Sequence, residues 1–231
     1  MADGALRTEA TSASDAVDPL DGDGRLPGYF GDAWPAVAGF AALLREHGVE
    51  RGLVGPNEIG RLWARHLLNS AGGVALLPAT GTLIDLGSGG GLPGIVLAAM
   101  RPRARVVLLE PMERRIDWLR FVIDELGLVN AEVLRGRAED VSSGIVADAV
   151  TARAVSSLDK LYLWAAPLVR VGGGLVAIKG ARAAEEVAAA RDAGRRAGWS
   201  EASVVEAGTL PGVEVTRVVR AVRTEVRALV R

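Results

Sequence analysis

Residues 83–100 read LIDLGSGGGLPGIVLAAM, and the fold turns on this stretch. A short apolar run ends at Leu86, five glycines fall between positions 87 and 94, and a second apolar run follows Pro93. The first run has the length of a buried strand. Proline suits the first turn of a helix, where an N–H has no helical partner. Strand, glycine turn and helix in this order make the first crossover of a parallel sheet. Without a Cβ, the turn lets a ligand come close to the main chain, beyond the carboxyl end of the strand.

Outward from this turn the pattern repeats. Strands are expected at 82–86, 105–110, 131–134, 146–151, 174–178, 202–205 and 214–222. Helices are expected at 93–100 and 112–126 and in the segments SSLDKLYLWAAPLV and RAAEEVAAARDAGRRAG. This alternation predicts an α/β fold over residues 81–231: a Rossmann-like, mostly parallel seven-stranded sheet with helices on both faces. Residues 28–80 form a small helical extension ahead of it. Val37, Phe40, Ala41 and Leu44 recur at helical spacing until Gly48, and Ile59, Leu62, Trp63, His66 and Leu67 do so from Pro56 to about Ser70. The next segment, AGGVALLPATG, has the composition of a connector. Residues 1–27 are acidic and rich in Gly, Asp and Ser, without apolar periodicity, and read as a disordered tail.

Composition limits the chemistry. The chain has 231 residues, 49% of them hydrophobic and 24% charged, which suits one soluble globular domain. It has no cysteine, so thiolate metal sites and cysteine nucleophiles are excluded; with only His47 and His66, no metal site is expected. No apolar run approaches the roughly 20 residues of a membrane-spanning helix, and the amino terminus lacks a basic start and an apolar stretch. A cytoplasmic protein is expected. The net charge is -1, but residues 1–27 carry six acids against Arg7 and Arg25, leaving a body of 25 bases and 22 acids. That mildly basic body permits an RNA partner.

Two frames compete within the glycines. Gly89, Gly91 and Gly94 fit G-x-G-x-x-G, the dinucleotide pattern of an NAD-dependent oxidoreductase. Asp85, Gly87, Gly89 and Gly91 fit D-x-G-x-G-x-G, the pattern of S-adenosylmethionine methyltransferases. An anion pointing into the pocket from Asp85 opposes a pyrophosphate and suits a ligand bearing an ammonium and a sulfonium. Glu110, ending the second strand, is placed to accept from ribose hydroxyls in either frame. RGRAED, with Arg137, Ala138, Glu139 and Asp140, follows the third strand, and Arg153 in AVTARAVSS ends the fourth beside the expected methyl donor. The fourth strand lacks the Asn-Pro-Pro-aromatic motif of amino-group methyltransferases, and cytosine-C5 transfer needs a cysteine. A guanine N7 has an unshared pair and no proton to lose, so alignment and exclusion of water suffice.

The combination of WARHLLNS, LIDLGSGGGLPGIVLAAMRP, RGRAED, ARAVSSLDKL and GGGLVAIKG resembles RsmG, also called GidB, the 16S ribosomal RNA guanine-N7 methyltransferase family. The resemblance runs over most of the body. It implies a class I S-adenosylmethionine-dependent methyltransferase domain, with 16S rRNA or the small ribosomal subunit as partner and a monomeric enzyme. It implies cofactor contacts from Gly87, Leu92, Ala138, Glu139 and Arg153, to which the reading of the loop adds Asp85, Gly89, Gly91 and Glu110. Arg153 is also the expected catalytic residue, and Arg137, Lys179 and His66 the expected RNA-facing set. Plainer readings stand beside these: an ion pair to a neighbouring acid for Arg153, an exposed lysine for Lys179, and a ring packed between helix and sheet for His66. The five tryptophans read as core residues rather than a base-stacking platform. A methyltransferase acting on a small molecule is the alternative activity.

Overall fold

The computed structural model describes residues 17–139 and 144–226. Seven strands form one sheet: β1 (Gly81–Leu86), β2 (Ala104–Glu110), β3 (Ala131–Arg135), β4 (Ala147–Arg153), β5 (Val169–Lys179), β6 (Ser203–Ala207) and β7 (Thr216–Val222). Their order is β3-β2-β1-β4-β5-β7-β6. The first five are parallel, and β7 enters antiparallel between β5 and β6. The order reverses at β1 and β4, where Asp85 lies in register with Thr151, and in such sheets ligands bind at this switch point.

One face of the sheet packs against α2 (Trp34–His47), α3 (Asn69–Val74), α4 (Gly94–Met100) and α5 (Glu113–Glu125). Phe40, Leu44, Leu67, Leu97 and Trp118 are buried in that layer. The other face carries α6 (Leu158–Ala165) and α7 (Ala183–Arg196), with Tyr162, Ala190 and Trp199 buried beneath them. The helical extension thus shares its core with the sheet domain. Among the described residues, no helix is long and apolar enough to cross a membrane.

The segment 71–81, expected as a connector, begins as helix: α3 includes Gly72 and Gly73. A Cβ on Gly72 would sit 2.8 Å from Thr216 Oγ1, and one on Gly73 2.5 Å from Ile178 Cδ1. Here the glycines let a helix lie directly on β5 and β7 and do not break it.

The expected disordered tail also needs correcting. Residues 1–16 lie outside the described residues, but from Asp18 onward the chain is held against the molecule. Asp18 is 2% exposed and accepts at Oδ2 from the Trp63 N–H at 2.8 Å, while Asp21 accepts from Trp63 Nε1 at 3.0 Å and pairs with Arg45. Leu26, in α1 (Arg25–Phe30), is fully buried. The acids that suggest a tail are in part acceptors for helix N–H groups: Asp23 takes that of Arg25, which opens α1, and Asp18 that of Trp63, which is 45 positions on.

Candidate functional site

The glycine turn divides its residues between two tasks. Gly87 and Gly89 have φ of +72° and +55°, which suits glycine alone at little cost. The N–H groups of Gly87 and Ser88 both donate to Leu109 O, tying the turn to β2. Gly89 donates its N–H to Glu110 Oε2 at 2.9 Å, and Met112 donates to Glu110 Oε1 at 3.0 Å. Gly87 and the glycines after Gly89 face protein, a Cβ on Gly87 meeting Val155 Cγ2 at 2.9 Å. A Cβ on Gly90 would touch Leu53, one on Gly91 would meet Ile95 at 2.7 Å and Phe40 at 3.1 Å, and one on Gly94 would meet Leu108 at 2.2 Å. Gly91, expected among the cofactor contacts, is thus a packing residue, and Leu92 packs against the same core.

Asp85 also departs from expectation. Its carboxylate is fully buried beneath the turn and lines no cavity; Oδ2 accepts from the Gly94 N–H at 3.0 Å, and Oδ1 is buried without a hydrogen-bond partner. Burial raises its pKa to about 7. The first N–H of α4 is therefore spent on a protein carboxylate, where the dinucleotide frame needs it for a pyrophosphate. That argues against the NAD reading.

Two cavities open at the carboxyl ends of the strands. The smaller, about 270 Å³, is lined by Gly87, Glu110, Met112, Ala138, Glu139 and Val155 among others. Arg137 stands on this cavity too, at the end of β3, away from the other residues expected to face RNA. Trp164 also lines it, so this tryptophan is not core. The larger, about 940 Å³, is lined by Arg65, Asn69, Arg153, Lys179, Arg182 and Arg217 together with Glu185, Glu186 and Glu214. Ala154 borders both. It is the one non-glycine with positive φ among the described residues, at 54°, and strain of this kind is kept where a loop must hold one course.

Arg153 reaches from the end of β4 back to the helical extension. Nη2 donates to Arg65 O at 3.0 Å and to His66 Nδ1 at 2.8 Å; Nη1 donates to His66 O at 3.3 Å and Ser70 Oγ at 3.4 Å. No carboxylate lies within ion-pair distance of it among the described residues, so the ion-pair reading fails. Burial, followed by the nearby Arg65 charge, lowers its pKa to about 10, which leaves it a cation with only neutral acceptors. The accepting carbonyls belong to a π-helical turn, Trp63–Leu68, of a kind frequent at functional sites.

His66 is not an RNA-facing residue. Its ring lies between Arg153 and Glu58 Oε2, which is 3.1 Å from Nε2, and its side chain is 14% exposed. Burial and the adjacent Arg153 charge lower its pKa to about 4, so it is neutral at pH 7. Lys179 is likewise engaged: Nζ donates to Glu186 Oε2 at 2.7 Å and to Ser156 O at 2.8 Å, and its side chain is 9% exposed. The exposed cations of the larger cavity are Arg65 and Arg182, which no motif or spacing singles out. Glu58, Ser70 and Ala154 were missed for the same reason: their positions are set by packing between distant segments, not by local spacing.

Residues 35–210 match the family model described as GidB, rRNA small subunit methyltransferase G. The chain is 48% identical over 213 residues to the ribosomal RNA small subunit methyltransferase G of Thermobifida fusca (strain YX), covering 92% of this chain and 86% of that protein. It is 50% identical over 194 residues to the protein of the same name from Leifsonia xyli subsp. xyli (strain CTCB07), covering 83% and 91%. The solved S-adenosylmethionine-dependent methyltransferase SibL in its apo form superposes with a TM-score of 0.59 at 17% identity, over 82% of this chain and 70% of that one. That likeness shows the fold, a class I methyltransferase sheet. With the family model matching three quarters of its length and relatives near 50% identical, the chain belongs to the rRNA small subunit methyltransferase G family.

Proposed function

We propose that this protein transfers the methyl group of S-adenosylmethionine to N7 of a guanine in 16S ribosomal RNA. The observation that carries the reading is the meeting of two cavities at Ala154, with the unpaired Arg153 cation on the wall of the larger one.

The residues present fit S-adenosylmethionine in the smaller cavity. The bare main chain at Gly89 leaves room beside it, Glu110 on its wall keeps lone pairs beyond those used by Gly89 and Met112, and the Asp85 carboxylate, buried behind the turn, acts on it through space and not by contact. When bound, the cofactor supplies an activated methyl on a sulfonium. Ala138 and Trp164 give apolar walls to the same cavity, suited to a flat base.

Guanine enters through the larger cavity, where Arg65 and Arg182 give a basic rim for phosphates. Arg153 holds a positive charge, fixed by four hydrogen bonds, on the wall of the larger cavity one residue before Ala154, where it would face the incoming base. His66, the one histidine next to the junction among the described residues, is no free general base: both its nitrogens are engaged, and its pKa is about 4. N7 attack requires none. The chain therefore contributes alignment, charge and exclusion of water. The proposed enzyme works as a monomer in the cytoplasm, where a small-subunit RNA substrate would be met.

Incubation with radiolabelled S-adenosylmethionine and small ribosomal subunits tests the reading, with the modified nucleotide mapped by mass spectrometry. Label on one guanine as 7-methylguanine is expected. Folded enzyme that labels a small molecule but no RNA would overturn it.

A further inference from the structure

Arg153 is the best-fixed cation of the site, and the way it is fixed assigns a proton elsewhere. A guanidinium has donors and no acceptor. With Arg153 Nη2 at 2.8 Å, His66 Nδ1 must therefore carry a lone pair, and the neutral ring must hold its single proton on Nε2. The acceptor for that proton is Glu58 Oε2, 3.1 Å away. The three side chains form a directed series in which arginine donates to imidazole and imidazole donates to carboxylate.

Glu58 belongs to a 3₁₀ turn, Pro56–Arg61, ahead of the π-helical turn, and lines neither cavity. Its other oxygen, Oε1, accepts from Arg61 Nη2 at 2.8 Å, so the carboxylate is held from its far side. The charged groups facing His66 are Arg153, Glu58 and Arg65; the first and last oppose a second proton on the ring, and Glu58 favours it. The balance leaves a neutral imidazole with one allowed tautomer. Were the proton on Nδ1, it would point at the Arg153 guanidinium, and the side chain would have to leave its place.

We propose that Glu58 is a positioning residue for methyl transfer: by accepting the His66 Nε2 proton it fixes the imidazole as the acceptor that holds Arg153 at the junction of the two cavities. The proposal rests on the role given to Arg153 above. Second partners of this kind fix the tautomer and ring orientation of metal-bound histidines, and the same physics applies where the ligand is a guanidinium. The effect belongs on turnover more than on binding, because misplacing an aligned group raises the barrier and leaves most of the contacts in place.

The test uses full-length protein in three forms, wild type, Glu58→Ala and Glu58→Gln, with ¹⁵N-labelled histidine. Nitrogen spectra at pH 7 are expected to show His66 as the Nε2–H tautomer in the wild type and in Glu58→Gln, whose amide oxygen still accepts. Glu58→Ala should give a mixed tautomer and slow single-turnover methylation of small subunits roughly tenfold, with Kd for S-adenosylmethionine and for subunits within about twofold. Glu58→Gln should keep most of the rate. An Nδ1–H tautomer in the wild type, or wild-type turnover in folded Glu58→Ala, overturns the proposal. If Glu58→Ala does not fold, Glu58→Asp, which retracts the acceptor by one methylene, decides: unchanged turnover overturns the proposal and a slowed rate at unchanged affinity supports it. Wild-type enzyme that leaves RNA unmethylated refutes the activity instead, while the spectra still judge the series of hydrogen bonds.

Discussion

Gly94 gives its backbone N–H to Asp85 Oδ2 at 3.0 Å, and the opposite oxygen of that carboxylate, Oδ1, is buried with no partner. The acid of the glycine motif thus serves the fold on one side and keeps an unused acceptor on the other. Burial raises its pKa from an aspartate's usual 3.8 to about 7.

This has a pH signature whose sign can be worked out. Between pH 4 and 7 the unfolded chain carries the Asp85 charge while the folded chain holds the proton. The Asp85 contribution to stability therefore falls as pH rises through that window, by on the order of 4 kcal/mol in total, while His66, its pKa lowered to about 4, contributes in the opposite sense between pH 4 and 6.5. A bound cation favours the ionised carboxylate, so affinity for S-adenosylmethionine should rise roughly threefold to tenfold from pH 6 to pH 8. Denaturant titrations and calorimetry on wild type and Asp85→Asn check both trends. Wild type should lose that stability relative to Asp85→Asn across pH 4–7, since His66 acts alike in both, and the variant should lack the rise in affinity; a stability difference between the two that does not change with pH removes Asp85 from the account.

Gly89 and Gly94 should fail in different ways. Around a Cβ built on Gly89 only Arg115 Nη1 and Gly87 O come within 4 Å, both at 3.8 Å, so Gly89→Asp has space. Its strain at positive φ costs about 1–3 kcal/mol, and the new charge sits beside Glu110. The protein should fold and lose roughly a hundredfold in affinity for S-adenosylmethionine. Gly94→Ala puts a methyl 2.4 Å from Asp85 Oδ2 and 2.2 Å from Leu108 Cδ2, which forces apart α4 and the sheet. Its expected defect is stability, by about 1–3 kcal/mol or more, read from urea midpoints. Equal binding by Gly89→Asp and wild type contradicts the placement of the donor.

Lys179→Ala offers a third test. Its ammonium ties Ser156 O in the loop after β4 to Glu186 on α7, and the next residue back, Val155, lies where a Cβ on Gly87 would come within 2.9 Å. Removing the ammonium frees the loop and leaves Glu186 facing the larger cavity unpaired. Methylation of small subunits should fall roughly tenfold, with subunit affinity also reduced by the uncovered negative charge and cofactor affinity changed less than threefold. A variant that loses cofactor binding and RNA binding to the same degree would show that the loop serves the smaller cavity as well.

The sheet was legible in the sequence because each strand ends in, or is followed directly by, a glycine or a charged residue and the helices between carry a clear periodicity. Boundaries agree within about two residues except at β5, which begins at Val169, ahead of Gly172, Gly173 and Gly174. These glycines read as a break, yet the ladder continues through them: Gly172 N–H donates to Arg223 O, and Arg223 N–H donates to Gly173 O. Site residues at strand ends, Glu110, Ala138 and Arg153, follow from parallel topology, since that topology sends every such end to one edge. Glu58 could not be found this way. It lies 95 positions before Arg153 and acts through the ring of His66, so its place depends on how the helical extension packs against β4. Asp18 was misread for a related reason: acidic composition describes a tail and a helix cap equally well.

Asp18 supplies the last test. Its Oδ2 accepts from Trp63 N at 2.8 Å and its Oδ1 from Leu20 N at 3.0 Å, and Trp63 opens the π-helical turn whose carbonyls hold Arg153. Asp18→Ala leaves the buried Trp63 N–H without an acceptor, a loss of about 1–3 kcal/mol. Asp18→Asn keeps one acceptor oxygen for two donors and should fall between the two. Hydrogen exchange at the Trp63 amide should accelerate in Asp18→Ala, and methylation should slow, because the turn that carries Arg65 O and His66 O is no longer capped. Unchanged exchange at that amide, in a folded variant, would mean that the segment from Val17 to Asp23 rests on the molecule without holding it.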